Sequence, residues 1–409
     1  MSRTSEAPPV PTTATAPSGG RSRLTAIDAA RGVALIGMFA VHILPAYDPV
    51  TFEPTLAWEL FAGRAAALFA LLAGLSLAFS SGGRIPHRGR ALTATRAGLV
   101  VRALLIAAVG LAVNEVMPTP APAQGILVYY GVFFLLAVPL VGLRTRALAV
   151  GAAAFAVLGP VLVHVVGPAL PRPTAANPTL GSVVADPGAA LAQVLLTGTY
   201  PAVPYLTFIC AGVLLGRVDL HDAMVRTWIV ISGVLLAVGA WFAYWVLVLQ
   251  AGGYEQLMRH TPWLSEAQID EIIVWGPDPA LPTSTWWWLL TPGPHSSTPV
   301  TLLMDLGAAL IAVGVLLLIV RPNRFWNVLG AMGARTLTLY SAHLLALGAL
   351  VHYQQPALWF LIHVLAAAVF ALLWREHLGQ GPLERGVAAA VRGTRRLVLG
   401  APGDTAARR

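Results

Sequence analysis

Ten apolar runs follow one another along the chain, and they leave little room for any fold other than a membrane bundle. A hydrocarbon core about 30 Å thick takes about 20 apolar residues as helix. By that criterion the candidate spans are 26–46, 57–79, 95–116, 125–142, 147–167, 200–216, 228–250, 299–320, 328–351 and 356–374. Of 409 residues, 57% are hydrophobic and only 11% charged, against about 25% charged in soluble domains. The expected class is all-α, a polytopic membrane protein of about ten transmembrane helices. The sixth run is short and opens on Tyr200-Pro201-Ala202-Val203-Pro204, which predicts an irregular outer end.

Arginine placement sets the orientation. With the N-terminus inside, the cytoplasmic segments collect Arg21, Arg23, Arg84, Arg88, Arg90, Arg96, Arg144, Arg146, Arg217, Arg226, Arg321 and Arg324. The outside loops hold only Arg172 and Arg259 and carry most of the loop carboxylates. An even number of spans then makes both termini cytoplasmic. Residues 1–22, rich in Pro, Thr, Ser and Ala near the start, read as a disordered cytoplasmic tail and not as a signal peptide. Residues 23–378 form the transmembrane domain, and 379–409 a cytoplasmic amphipathic basic helix and tail. In that last segment Gly381 is the expected N-cap, Pro382 N1 and Glu384 N3. Arg385, Arg392, Arg395 and Arg396 lie among Val387, Val391, Leu397 and Val398, a pattern suited to an anionic leaflet. The formal charge of +8 comes entirely from arginine; with so much Ala and Gly this points to a GC-rich bacterial source and a bacterial cell membrane. A single cysteine, Cys210, rules out an internal disulfide.

Two outside loops, 168–199 and 251–298, exceed what a connection needs, and long loops are usually lids or disorder. The second carries Trp286-Trp287-Trp288, readable as an interfacial belt or as a sugar-stacking platform.

The first span carries the chemistry. Asp28 and Arg31 stand at i,i+3 and are expected to pair. His42 follows Arg31 by eleven residues, about three turns plus roughly 20°, so both lie on one face roughly 16 Å apart. Ionisable groups inside a bilayer are costly and mark functional sites. Elsewhere, Arg64 is expected to pair with Glu59 or Glu115, or to orient an acceptor. His343 lies about 80° round the ninth helix from Arg335, so both can face one cavity. His295 sits in a loop able to fold over the outer mouth, and His164 and His363 read as structural. No metal spacing, phosphate loop or Gly-x-Ser-x-Gly elbow stands out. Positive-inside topology accounts for the arginine-rich loops without nucleic acid.

Arg31-(ten residues)-His42 on a first transmembrane helix resembles the signature of the acyltransferase family-three membrane enzymes. The fuller string Arg23…Asp28…Arg31-Gly32…Met38, with 61–69 and Ala73-Gly74, is similar to the heparan-α-glucosaminide N-acetyltransferase branch of that superfamily. The segment 330–340 and Gly381-Pro382-Leu383-Glu384 resemble a related bacterial membrane family of uncharacterised function. The resemblance implies an integral-membrane acyltransferase. It would move an acyl group from cytoplasmic acyl-CoA, most simply acetyl-CoA, to a hydroxyl or amine of a sugar or other exported acceptor. No metal is implied, and a homo-oligomer is compatible with it. In the lysosomal branch the catalytic histidine lies in the loop after the first helix; residues 47–58 here contain none. That leaves His42 as general base, a task suited to an imidazole. CoA phosphates suit cytoplasmic-side arginines, for which Arg96, Arg102, Arg321, Arg324 and Arg335 are candidates by side and depth, with Asp28 and Arg31 as donor-binding or site-organising groups. A transporter or flippase for an envelope or lipid-linked metabolite is the alternative. The sequence shows neither a duplication nor the paired broken helices of that class. A noncatalytic partner of a polysaccharide machine is the third reading.

Overall fold

The computed structural model describes residues 19–400, with side chains from Thr25 onward; residues 1–18 of the expected tail, the side chains of Arg21 and Arg23, and residues 401–409 lie outside the described residues. In chain order the helices are α1 (Gly19–Ile43), α2 (Leu56–Phe61), α3 (Arg64–Ser80), α4 (Gly89–Glu115), α5 (Leu127–Leu140) and α6 (Thr145–Val166). There follow α7 (Leu180–Ala185), α8 (Pro187–Ala192), α9 (Ala202–Leu215), α10 (Ala223–Tyr244), α11 (Gly253–His260) and α12 (Glu266–Trp275). The last are α13 (Pro299–Ile319), α14 (Arg324–Gly333), α15 (Thr336–Leu347), α16 (Pro356–His377) and α17 (Pro382–Leu399). Among the described residues the only strand-like feature is one bridge, Tyr47 to Pro54. The chain is an all-α polytopic membrane protein.

Among the described residues seven stretches are long and apolar enough to cross a membrane: Thr25–Ile43, Leu56–Ser80, Gly89–Glu115, Thr145–Ala169, Ala223–Gln250, Pro299–Ile319 and Pro356–His377. The pair Pro187–Thr197 and Ala202–Leu215, bent by 49° at the break ahead of Pro204, has the composition of a broken span or a re-entrant loop. Helix α5 and helix α15 are apolar but shorter. The ten expected spans thus become seven long helices and three short or broken segments. The ninth run, 328–351, breaks at Ala334-Arg335, so its periodicity cannot be carried from Arg335 to His343. The break has a local cause. Gly333 lies so close to α1 that a Cβ there would stand 1.7 Å from the Asp28 carbonyl oxygen, and the Arg335 guanidinium takes the Ala331 carbonyl at 2.7 Å. The break at the sixth run is the irregular outer end that its prolines predict, whereas the break in the ninth departs from the single helix that its sequence predicts.

Helix α1 is the axis of the bundle. It packs on α3, α13, α14 and α16, with α15 touching it near the histidines described below. Its inner faces are small: Ala29, Ala30 and Ala34 are buried, facing a core that includes Ala65, Ala66, Ala67 and Ala70 of α3. A Cβ at Gly32 would come within 2.4 Å of the Leu329 carbonyl oxygen. In lipid, where apolar contact alone gives little drive, close backbone approach is what holds helices together. Helix α6, helix α10 and helix α16 instead present exposed apolar side chains such as Leu158, Leu235 and Leu365.

One end of the bundle gathers the arginines and α17. The N-terminus of α17 is capped at Gly381 with Pro382 at its first turn, and Glu384 accepts from the Thr338 backbone N–H at 3.0 Å and hydroxyl at 2.6 Å. The helix then lies along α4, with Val391 and Arg395 beside Gly98. At the opposite end α11, α12 and the turn Trp286–Leu290 form a cap with its own core of Val248, Leu257, Ile269, Ile273 and Trp288. Helix α12 starts on a reciprocal Ser265/Gln268 capping box. Trp288 is fully buried and its indole N–H donates to Thr261 Oγ1 at 3.1 Å. Trp288 is neither belt nor sugar platform; Trp287 is half-buried and Trp286 is exposed, its ring 4.7 Å from His164.

Candidate active site

The arginine end holds a tight set of ion pairs and hydrogen bonds. Asp28 and Arg31 pair at 2.5 Å, as their spacing predicts. Arg31 Nη2 donates to Ser76 Oγ at 2.6 Å, tying α1 to α3. Both side chains of the pair keep about a quarter of their surface free, 29% for Asp28 and 24% for Arg31, so they line a space and do not plug it. Arg335 is buried, donates to the Ala331 and Gly379 carbonyls, and lies within electrostatic reach of Asp28. The other candidate arginines separate by what they bind. Arg96 caps α5 through the Val138 and Pro139 carbonyls at 3.1 and 3.3 Å. Arg321 closes its own helix end through Leu318 and Val320, and Arg324 is exposed at the start of α14. Arg102 differs from these. Its guanidinium lies 5.2 Å from the Phe134 ring centroid and its Nε is buried without a partner. It lines a cavity of about 40 Å³ with Ser80, Thr95 and Arg395.

Eleven residues on, α1 ends in a cluster of histidines. His42 Nδ1 lies 3.1 Å from His343 Nε2, with the two rings almost coplanar in orientation at 6°. The His343 ring is wedged between Phe39, 4.3 Å away, and His363, 5.0 Å away. His363 Nδ1 donates to the Trp359 carbonyl at 2.8 Å, which leaves its Nε2 as a free acceptor. His295 and His352 lie within electrostatic range of His42. His295 stands on a positive-φ turn (58°) against Tyr200, and burial pushes its imidazole down to about 4. Among the described residues no three His, Cys, Asp or Glu side chains are placed to share a metal ion.

Residues 23–246 match the catalytic domain of heparan-alpha-glucosaminide N-acetyltransferase, more than half of the chain. The chain belongs to that family. No curated protein matches it. In this heparan-alpha-glucosaminide N-acetyltransferase-type chain the matched segment holds Asp28, Arg31, His42, Arg64, Arg96 and Arg102, whereas His295, Arg335 and His343 lie beyond it. The family carries acetyltransferase activity.

Several residues of this N-acetyltransferase-family site have no motif in the sequence. Between the arginine and histidine ends lie tyrosines. The Tyr130 hydroxyl is buried without a partner and lies within electrostatic reach of Arg31, Tyr200 and Tyr340. The Tyr340 and Tyr200 hydroxyls both approach the Gln124 carbonyl at 3.5 Å. Aromatic residues in apolar runs read as core, so no local signal separates them. The sequence predicts for Arg64 a pairing with Glu59 or Glu115, or an acceptor-orienting role; its ion pair is with Asp305 of α13 at 4.0 Å, and it donates to the Glu59 backbone carbonyl. Glu115 accepts from the Gly181 backbone N–H. Asp305 is the buried carboxylate that the sequence reading missed, because its partner is 241 positions away in the chain.

Proposed function

We propose that this membrane acetyltransferase moves an acetyl group from cytoplasmic acetyl-CoA to a hydroxyl or amine of a sugar or other exported acceptor, with His42 as general base. The observation that carries the reading is the His42–His343 contact, on the α1 face that also carries Arg31. For His42 to act as base its Nε2 must be free, so its Nδ1–H donates to His343 Nε2 and His343 carries its own proton on Nδ1. The acceptor's oxygen or nitrogen bonds the acetyl carbonyl carbon while its proton passes to His42 Nε2. The imidazolium so formed is stabilised by the neutral His343 ring. The C–S bond then breaks, and the thiolate leaves as the CoA thiol by taking that proton from the His42 imidazolium, which restores the neutral base. Arg31 and Arg102 are the donor-side cations, because their contacts leave room or an unused N–H for phosphate, while Arg96 and Arg321 serve backbone carbonyls. Asp28 and Arg335 organise that end, and Arg64 and His295 lie on the acceptor side.

The proposed setting is a bacterial cell membrane with both termini cytoplasmic, so that the arginine end meets acetyl-CoA and the cap faces out. Purified protein in proteoliposomes should consume acetyl-CoA and release CoA when a glucosamine acceptor is supplied, and the His42→Ala protein should bind acetyl-CoA without turning it over. Undiminished transfer by correctly inserted His42→Ala protein would remove His42 from the mechanism. A cysteine placed at Ala280 in the cap should react with an impermeant maleimide from outside, against a background kept low by the burial of Cys210. Labelling only from inside would reverse the donor and acceptor sides.

A further inference from the structure

Helix α15 and helix α16 stand apart. Helix α16 packs on α14 and α1 and hardly on α15, and Ala342 and Ala346 of α15 are left uncovered. The cleft between them has a volume of about 320 Å³. Its walls are almost wholly apolar, with Ala342, Ala346, Ile362, Ala366 and Phe370 among them, and its outer flank is the lipid-exposed face of α16. In a chain that spans a bilayer, such a cleft opens to hydrocarbon and not to water.

Two unpartnered polar atoms interrupt these walls. His343 Nδ1 and His363 Nε2 are buried and have no hydrogen-bond partner among the described residues, and both side chains line the cleft. Buried polar atoms left unpaired are uncommon and call for an explanation. His363 Nε2 is an acceptor, because its Nδ1–H is spent on Trp359. His343 Nδ1 is a donor in the tautomer that lets His42 act as base. A head group bearing hydroxyls supplies the complement of each. A bulk acyl chain supplies neither.

We propose that the α15–α16 cleft admits a lipid-borne acceptor sideways from the bilayer, its hydrocarbon chain lying along Ala342, Ala366 and Phe370 and its hydroxylated head held by His343 and His363 beside His42. This rests on the acetyl-transfer reading. The donor-side arginines Arg31 and Arg102 lie toward the other end of α1, between α1, α3 and α4, so donor and acceptor reach the histidines from different sides. The occupant is a chain attached to the acceptor, not the acyl chain of the donor.

The test uses full-length protein in proteoliposomes with acetyl-CoA and two acceptors sharing one head, dodecyl and methyl β-glucosaminide. The dodecyl compound should have the higher kcat/KM. In Ala342→Phe and Ala366→Phe the added ring fills the cleft, and the dodecyl-to-methyl ratio should fall by roughly ten- to a hundredfold, the range expected of steric overlap. Leu365→Phe, on the lipid face outside the cleft, should keep the wild-type ratio. An unchanged ratio in both cleft variants, or equal use of the two acceptors by the wild type, overturns the proposal while leaving acetyl transfer intact. If neither acceptor is acetylated, the transfer reading fails instead. A diazirine-tailed glucosaminide then decides the cleft by itself: crosslinks in α15 and α16 that Ala366→Phe removes support it, and crosslinks spread evenly over the lipid-exposed helices refute it.

Discussion

The two ends of α1 are built on opposite principles. At Asp28 and Arg31 most polar groups have partners, and the backbone of α14 lies against that of α1 at Gly32 and Gly333. At His42 the neighbours His343, His352 and His363 keep ring nitrogens without partners. The contrast is between an end where helix backbones meet and most polar groups are paired, with Arg102 Nε a buried exception, and an end where several ring nitrogens have no partner among the described residues. Satisfied networks rigidify; buried polar atoms without partners call for an explanation.

Five substitutions break or sharpen that contrast. The largest effect belongs to the structural end. Gly333→Leu drives a side chain into the Asp28 carbonyl and should abolish assembly, read as loss of the monodisperse peak in detergent. A correctly folded Gly333→Leu protein would show that the α1–α14 crossing is not the anchor. Next is His42→Ala, which should preserve that peak and lower turnover by about 10²–10⁴, the usual share of a positioned acid–base group. Third, Arg102→Ala should weaken acetyl-CoA binding by about 1.5–3 kcal/mol, as for a lost charged hydrogen bond, measured by calorimetry. Arg96→Ala should leave that affinity alone and lower thermal stability, because its contacts are carbonyls of α5. Equal affinities in both variants would erase the distinction between binding and capping arginines.

The smallest effect concerns pH. His295 is neutral in the fold, its imidazole held below the ordinary value near 6.5 by burial. The unfolded chain therefore binds the extra proton, and the contribution of His295 to stability is complete above about pH 6.5 and declines as the pH falls toward 4. His295→Asn should flatten that part of the melting profile. An identical slope in the variant would assign the acid sensitivity to another group.

What the sequence disclosed follows the range of the interaction. Asp28 with Arg31, the Gly381-Pro382 helix start and the irregular entry to the sixth span are all decided within a few residues, and each is found where the pattern places it. The His42–His343 contact is 301 positions long, and it needs the break at Arg335 that no periodicity announces. The arginines were indistinguishable as a group because their sorting depends on backbone carbonyls, which every residue possesses. The tryptophan run divides for a related reason: its composition suits an interface at all three positions, but Trp288 is buried against α11 and α12, whose packing is tertiary.

The cap adds a consequence of its own. Residues 251–298 include irregular backbone, which hydrocarbon does not tolerate, so the cluster around Trp288 is assembled against water while the alanine-faced bundle is assembled against lipid. Water-driven burial weakens on cooling; close packing between helices in lipid has no such dependence. The molecule thus contains two thermometers, and near freezing the cap should loosen first, over a bundle that has not changed.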